Sequence, residues 1–392
     1  MKTMKKVLCM VMALAMIVAL GAMSASAYAD DTIKIGWLGP LTGGVAQYGE
    51  AVKSGVDLYI EQLNAAGGIN GKQVELIAYD EEGDAAKAIA GYSSLMDAGV
   101  VAIVGSVTTA PTIAVVSEAF YDNTPMITAS ATAIGVTYNA EADQVYSNMF
   151  RSCFIDSFQG VTMAGFAQEV LGASTAAVLY DNGDTYSTGV YEYFAKQCEE
   201  IGLQVVAVES YASGSVDFSG QLTNIAAANP DVLFLPVYYN DVALIAAQAA
   251  DAGITATMLG VDGWSSVLDS VSDPALVEGA YYCSGYSVED TRELVVNFLN
   301  DYAAKYDGAV SNMFGAQGYD AAWILCNAIA AAEASGAKAG SDAYSQAVIE
   351  AMSATDQEFV TGHVSFDDHN DPQKTAAIIQ ITDGAESFWG NY

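Results

Sequence analysis

Ile33-Lys34-Ile35-Gly36-Trp37-Leu38, then Gly39-Pro40-Leu41-Thr42-Gly43-Gly44, and, some thirty residues on, Val74-Glu75-Leu76-Ile77-Ala78-Tyr79: two β-rich runs with a glycine-rich turn after the first. Between them Val52, Val56, Ile60 and Leu63 fall on one helical face, and Gly67-Gly68 supplies the left-handed stop. Strand, turn, helix and strand in this order form a βαβ unit, which makes its two strands parallel. The alternation continues with helix at 85–96, strand at 100–104, helix at 112–120 and strand at 125–128. A parallel sheet of this kind is covered on both faces.

A second series follows Phe150. Helical texture at 159–171, 189–201, 222–228 and 242–252 alternates with strand texture at 176–180, 204–209, 232–237 and 255–259. An extended run at 279–286 leads to three helices, at 292–306, 318–334 and 342–352. Strand texture returns at 363–366 and 376–381. The late helices have too few strands to stand alone, so they rejoin an earlier unit. The expected fold class is α/β: two doubly wound parallel-sheet lobes joined by a multi-strand hinge. The expected division is lobe 1 at 30–150 plus 287–360, and lobe 2 at 151–286 plus 361–392. Ligands in such sheets bind outside the carboxyl ends of the strands.

Composition excludes several classes. After residue 29, no run approaches the roughly 18 uncharged apolar residues of a spanning helix, although 52% of the chain is hydrophobic. A formal charge of −34 repels nucleic acid. Residues 1–29 read as a signal peptide: three lysines, an apolar run, and the exit Ala27-Tyr28-Ala29, with Ala25-Ser26-Ala27 as the second choice of cut. Cys9 stands too early to carry a lipid, so the mature chain is expected to be exported, released and monomeric. Loss of three lysines takes its charge to −37.

Catalytic readings find little support. His363 and His369 read as a solvated pair rather than a zinc or catalytic site, and no nucleophile elbow, phosphate loop or dinucleotide fingerprint is present. The acidic runs 80–84 and 367–371 miss the Ca²⁺-loop register and read as solvated turns. No metal, cofactor or catalytic residue is assigned. Cys153, Cys198, Cys283 and Cys326 read as buried thiols in preference to one bridge.

The strand ends are more informative. Val104-Gly105-Ser106-Val107-Thr108-Thr109 runs from a strand into a helix start, where hydroxyls and N–H groups converge. That segment alone suits an anion site and plain N-capping equally well. Ile127-Thr128-Ala129-Ser130-Ala131-Thr132 repeats the texture. In the second unit Gly260-Val261-Asp262-Gly263-Trp264 sets a lone carboxylate beside an aromatic, near strand ends bearing Tyr186 and Tyr238. Hydroxyls on one side and a carboxylate on the other match an amino acid zwitterion. Arg151 and Arg292 are the only arginines, and Arg151 reads as structural, so a bidentate arginine clamp is not expected.

With these segments in place, the chain resembles the leucine/isoleucine/valine-binding proteins of ABC transporters, within the type I periplasmic-binding-protein superfamily. The resemblance spans residues 33–381. It rests on Gly39-Pro40-Leu41-Thr42-Gly43-Gly44-Val45-Ala46-Gln47-Tyr48-Gly49, on Asn64-Ala65-Ala66-Gly67-Gly68-Ile69-Asn70-Gly71-Lys72, and on Tyr79-Asp80, Val104-Gly105 and Gly318-Tyr319-Asp320-Ala321. It implies that Thr109 and Thr132 hold a ligand carboxylate, assisted by backbone near Val107 and Ser130. It implies further that Asp262 pairs with the ammonium, that Tyr48, Tyr186 and Tyr238 line the cleft, and that a membrane permease is the partner. Asp262 stands where glutamate is familiar, and Trp264 where the branched-chain binders carry a small residue, so the side chain bound stays open. Gly83 and Thr108 occupy the places of a disulfide found in some relatives. Two alternatives remain: a binder of amides, urea or short carboxylates on the same scaffold, and a secreted hydrolase using paired carboxylates.

Overall fold

The computed structural model describes residues 32–392. The expected signal peptide and Cys9 lie outside the described residues. The first series is β1 (Ile33–Gly39), α1 (Ala46–Ala65), β2 (Val74–Asp80), α2 (Ala85–Asp97), β3 (Ala102–Gly105), α3 (Thr109–Tyr121), β4 (Met126–Thr128), a short ribbon β5 (Tyr138–Asn139) with β6 (Gln144–Val145), and β7 (Met149–Arg151). Its five-stranded sheet has the order β2-β1-β3-β4-β7, parallel throughout.

The second series is α4 (Asp156–Glu169), β8 (Thr175–Asp181), α5 (Thr185–Ile201), β9 (Gln204–Tyr211), α6 (Ser219–Ala228), β10 (Val232–Phe234), α7 (Tyr239–Asp251), β11 (Thr257–Gly260) and β12 (Tyr281–Ser284). After α8 (Glu293–Lys305), α9 (Met313–Ser335), α10 (Asp342–Ser353) and the hairpin β13 (Asp356–Phe359) with β14 (Gly362–Ser365), the chain ends in β15 (Ala377–Thr382) and β16 (Ala385–Asn391). The seven-stranded sheet runs β16-β15-β12-β11-β10-β8-β9.

The second sheet is parallel from β9 through β12 and carries an antiparallel edge at the chain end. β15 runs antiparallel to β12, and β16 antiparallel to β15. The β15–β16 pair is set locally: Asp383 and Gly384 both have positive φ, 53° and 72°, the two-residue turn that folds a strand back on its neighbour.

Two helices start earlier than the apolar periodicity predicts because a side-chain cap sets the start. Asp184 accepts from Ser187 N at 3.3 Å and starts α5 at Thr185. Asn312 accepts from Gly315 N at 3.1 Å and starts α9 at Met313. α3 begins at Thr109, which places that hydroxyl in a helix first turn.

The late helices rejoin the first sheet through α9, which lies against α1. A Cβ at Gly55 would stand 1.9 Å from Gly315 O, and one at Gly318 would stand 2.2 Å from Val52 O, so only glycine permits this approach. The stretch after the β13–β14 hairpin also stays with the first sheet. Phe366 packs on Phe150, Asn370 donates to Met149 O, and Asp371 pairs with Arg151. Pairing with the second sheet begins only at Ala377.

The acidic run 367–371 is therefore not a simple solvated turn, since Asn370 and Asp371 are buried anchors. In the other run Glu81 is buried, accepts from Ser106 Oγ at 2.9 Å, and is pushed up to about 7 by burial. All four cysteines beyond residue 31 are free and buried. Among the described residues no helix is long and apolar enough to cross a membrane.

Candidate ligand-binding cleft

Strand ends from both sheets face one another across a narrow cavity. It is lined by Tyr48, Val107, Thr108, Thr109, Ser130, Thr132, Tyr186, Tyr238, Asp262, Gly263 and Phe314. Every expected lining residue except Trp264 is there.

The first wall is built from the exits of β3 and β4, which lock each other. Thr128 Oγ1 donates to Ser106 O at 2.6 Å and accepts from Ser130 N and Ala131 N at 3.3 and 3.1 Å. Ser130 Oγ donates to Val107 O at 2.7 Å. The α3 first turn opens here without a side-chain cap from Thr108, so its N–H dipoles face the cavity end. Thr132 Oγ1 is buried without a hydrogen-bond partner. Arg151 supports this wall from behind, donating to Ala131 O and Ala133 O at 3.0 Å and to Thr137 Oγ1 at 2.7 Å, with Asp371 Oδ1 2.6 Å from its Nε. It is structural, as the sequence suggests.

The second wall presents a carboxylate. Asp262, 3% exposed, accepts from the Tyr186 hydroxyl at 2.6 Å, and its backbone N–H donates to Gln159 Oε1 at 2.9 Å. Burial pushes its carboxyl up to about 6, against the opposing hydrogen bonds from Tyr186 and Gln159. The Tyr186 oxygen also accepts from Gly263 N at 3.1 Å, and its ring stacks on Tyr238 at 4.9 Å. Burial holds the phenols of Tyr48, Tyr186 and Tyr238 well above their usual range, so all three stay neutral.

Tyr48 closes the space from the first wall. Its hydroxyl donates to Gly263 O at 2.5 Å and accepts from Tyr239 N at 3.1 Å. Its ring meets Tyr238, Tyr239 and Phe314 edge-on.

Trp264 is the correction. It is fully buried in the core, its ring lies over Gly260, and its Nε1 donates to Leu235 O at 2.9 Å. The short 3₁₀ turn at Asp262–Trp264 sends neighbouring side chains to opposite sides of the wall, so adjacency in sequence misplaces it. Sequence reasoning missed Phe314, Asp156 and Gln159. Asp156 and Gln159 had a signal: acid and amide three apart at a helix start, both buried on one face.

A larger open groove of about 1030 Å³ lies where the chain passes between the sheets, lined by Glu289, Asp290, Arg292 and Glu358 among others. Arg292 is already bound there to Asp290 and to the carbonyls of Phe359 and Val360. No convergent donor set marks that groove as the primary site, and the smaller cavity carries the chemistry.

Residues 32–386 match the family described as periplasmic binding protein. The leucine-, isoleucine-, valine-, threonine- and alanine-binding protein of Pseudomonas aeruginosa is 30% identical over 355 residues, covering 90% of each chain. A branched-chain amino acid transporter substrate binding protein of Streptococcus pneumoniae, solved in complex with isoleucine, superposes with a TM-score of 0.82 at 31% identity. That match covers 92% of this chain and 98% of the other. A solute binding protein of R. palustris in complex with benzoate shares the fold, with a TM-score of 0.81 at 21% identity, covering 92% and 96%.

Proposed function

The chain belongs to the periplasmic binding protein family, and from that premise we propose that it captures a small neutral amino acid between its two sheets and delivers it to a membrane permease. At the coarser level it is a substrate-binding protein of the branched-chain amino acid ABC transporter type, a family that implies export and whose relatives here are named as binding proteins.

One observation carries the reading. Asp262, a buried carboxylate that forms no ion pair among the described residues, stands across one small cavity from the hydroxyls and uncapped first turn of α3. Thr109 and Thr132, with backbone at Val107 and Ser130, take the carboxylate, and Asp262 takes the ammonium. Tyr48, Tyr186, Tyr238 and Phe314 wall the side chain. The bound residues named for the two similar amino acid binders point the same way. On this reading lobe 1 is 32–150 with 287–376, and lobe 2 is 151–286 with 377–392. The last crossing then falls later than residue 361, because Asn370 and Asp371 hold to the first sheet.

A thermal-shift screen of the mature chain against the twenty amino acids tests this. A ligand at 100 times its Kd adds about 2.7 kcal/mol of stability. A neutral aliphatic amino acid is expected to raise the melting temperature of the wild type and to leave Asp262→Ala unshifted. Failure of every amino acid, or an equal shift in both proteins, would overturn the proposal.

A further inference from the structure

One buried acid beside the cleft has no part in the binding scheme above. Asp156 lies in the first turn of α4, is 1% exposed, and its backbone N–H donates to Thr132 O at 3.0 Å. Its Oδ2 lies 2.8 Å from where a Cβ on Gly189 would be, so α5 closes over it. Its Oδ1 has no hydrogen-bond partner, and neither has the neighbouring Thr132 Oγ1. The two groups are close enough to interact with each other.

Charge decides the protonation state. Asp262, after β11, and Asp184, at the cap of α5, are like charges acting on Asp156. Tyr193 on α5 and Tyr238 before α7 feel its field as neutral phenols. Arg151 on β7 opposes them, but its guanidinium is bound to Asp371, Thr137 and two carbonyls. Among the described residues no lysine, arginine or histidine forms an ion pair with Asp156. Two neighbouring buried carboxylates without a shared cation do not both ionise. Asp262 is the one that meets the ligand ammonium, which leaves Asp156 neutral.

Hydroxyl chemistry then gives Asp156 a role. A threonine hydroxyl has one proton to donate. If Thr132 gave it to an ionised Asp156, its lone pairs would face the ligand carboxylate and repel it. If a protonated Asp156 donates to Thr132 Oγ1, the Thr132 proton is free for the ligand. We propose that Asp156 is a positioning residue of the cleft, a protonated acid whose O–H is donated to Thr132 Oγ1 and so turns the Thr132 hydroxyl toward the ligand carboxylate. This rests on the amino acid reading, deepens it, and assigns a direction to each hydrogen bond from Asp156 through Thr132 to the ligand.

The substitution Asp156→Asn keeps a donor and the shape of the side chain, whereas Asp156→Ala keeps neither. Asp156→Asn is expected to bind the amino acid within about threefold of wild type from pH 7 to 9, and Asp156→Ala to bind at least tenfold more weakly. An infrared difference spectrum of ligand-free wild type minus Asp156→Asn at pH 8 is expected to show the band of a protonated carboxyl. Equal weakening in both variants, or a carboxylate band in that spectrum, would overturn the proposal. The infrared arm needs no ligand. If no amino acid binds the wild type, the functional reading fails while the proton assignment is still decided.

Discussion

Asp262 is the residue on which the most chemistry converges. Its carboxyl, pushed up to about 6 by burial, is protonated in the empty site at acidic pH and cannot then pair with an ammonium. Ammonium in the complex favours the charged form and lowers that value. Affinity is therefore full above pH 6 and weakens as pH falls through it, approaching tenfold per unit until the value in the complex is reached. Calorimetric titration between pH 4.5 and 8 checks the sign; affinity rising toward acid would contradict it. Trp264, by contrast, is packing. Its truncation to alanine is expected to cost about 3–5 kcal/mol, read as a lowered denaturant midpoint. Hydroxyl-rich strand exits and a lone acid draw the eye to Thr109, Thr132 and Asp262, but N-capping explains the first segment equally well, and the roles of the three come from the family resemblance. The place of Trp264 is not legible, because a 3₁₀ turn, invisible to periodicity, rotates it into the core. Asp156 and Gln159 escape notice because apolar periodicity starts the helix at 159, although Asp156 opens its first turn.

At the scale of elements, alternation and periodicity locate every long helix and most strands, since parallel strands buried on both faces are continuous apolar runs. The misses share a cause. β7 is only three residues long, and β13 and β16 are half-exposed, so they carry little apolar alternation. The Asp383-Gly384 turn does mark the final hairpin and is the one local sign of the antiparallel edge. The contact of α1 with α9 depends on glycine. Gly318→Ala brings a methyl against the Val52 carbonyl and is expected to destabilise by about 1–3 kcal/mol, measured by denaturant unfolding. An unchanged midpoint would mean the helices separate freely.

For the whole molecule, the charge balance and the cleft fit together. Both arginines are engaged in structural contacts, which leaves hydroxyls and N–H groups as the donors at the cleft. Side-chain bonds join the two halves: Tyr48 bonds to Gly263 and Tyr239, and Asn312 Nδ2 donates to Ser266 Oγ at 2.9 Å. Removing the Tyr48 hydroxyl deletes two hydrogen bonds, each worth about 0.5–1.5 kcal/mol. Tyr48→Phe is expected to weaken affinity about tenfold and to enlarge the ligand-free radius of gyration in X-ray scattering. An unchanged radius with unchanged affinity would mean that the Tyr48 bonds do not hold the two halves together.

The claim that organises all of this is that the cleft recognises both charged ends of one small molecule. Its most direct test is calorimetry of the wild type with the best-bound amino acid, its analogue lacking the amino group, and its analogue with the carboxylate made an amide. The account predicts that the zwitterion binds and that each analogue is weaker by at least a hundredfold. An amine-free acid that binds as tightly as the amino acid would contradict it.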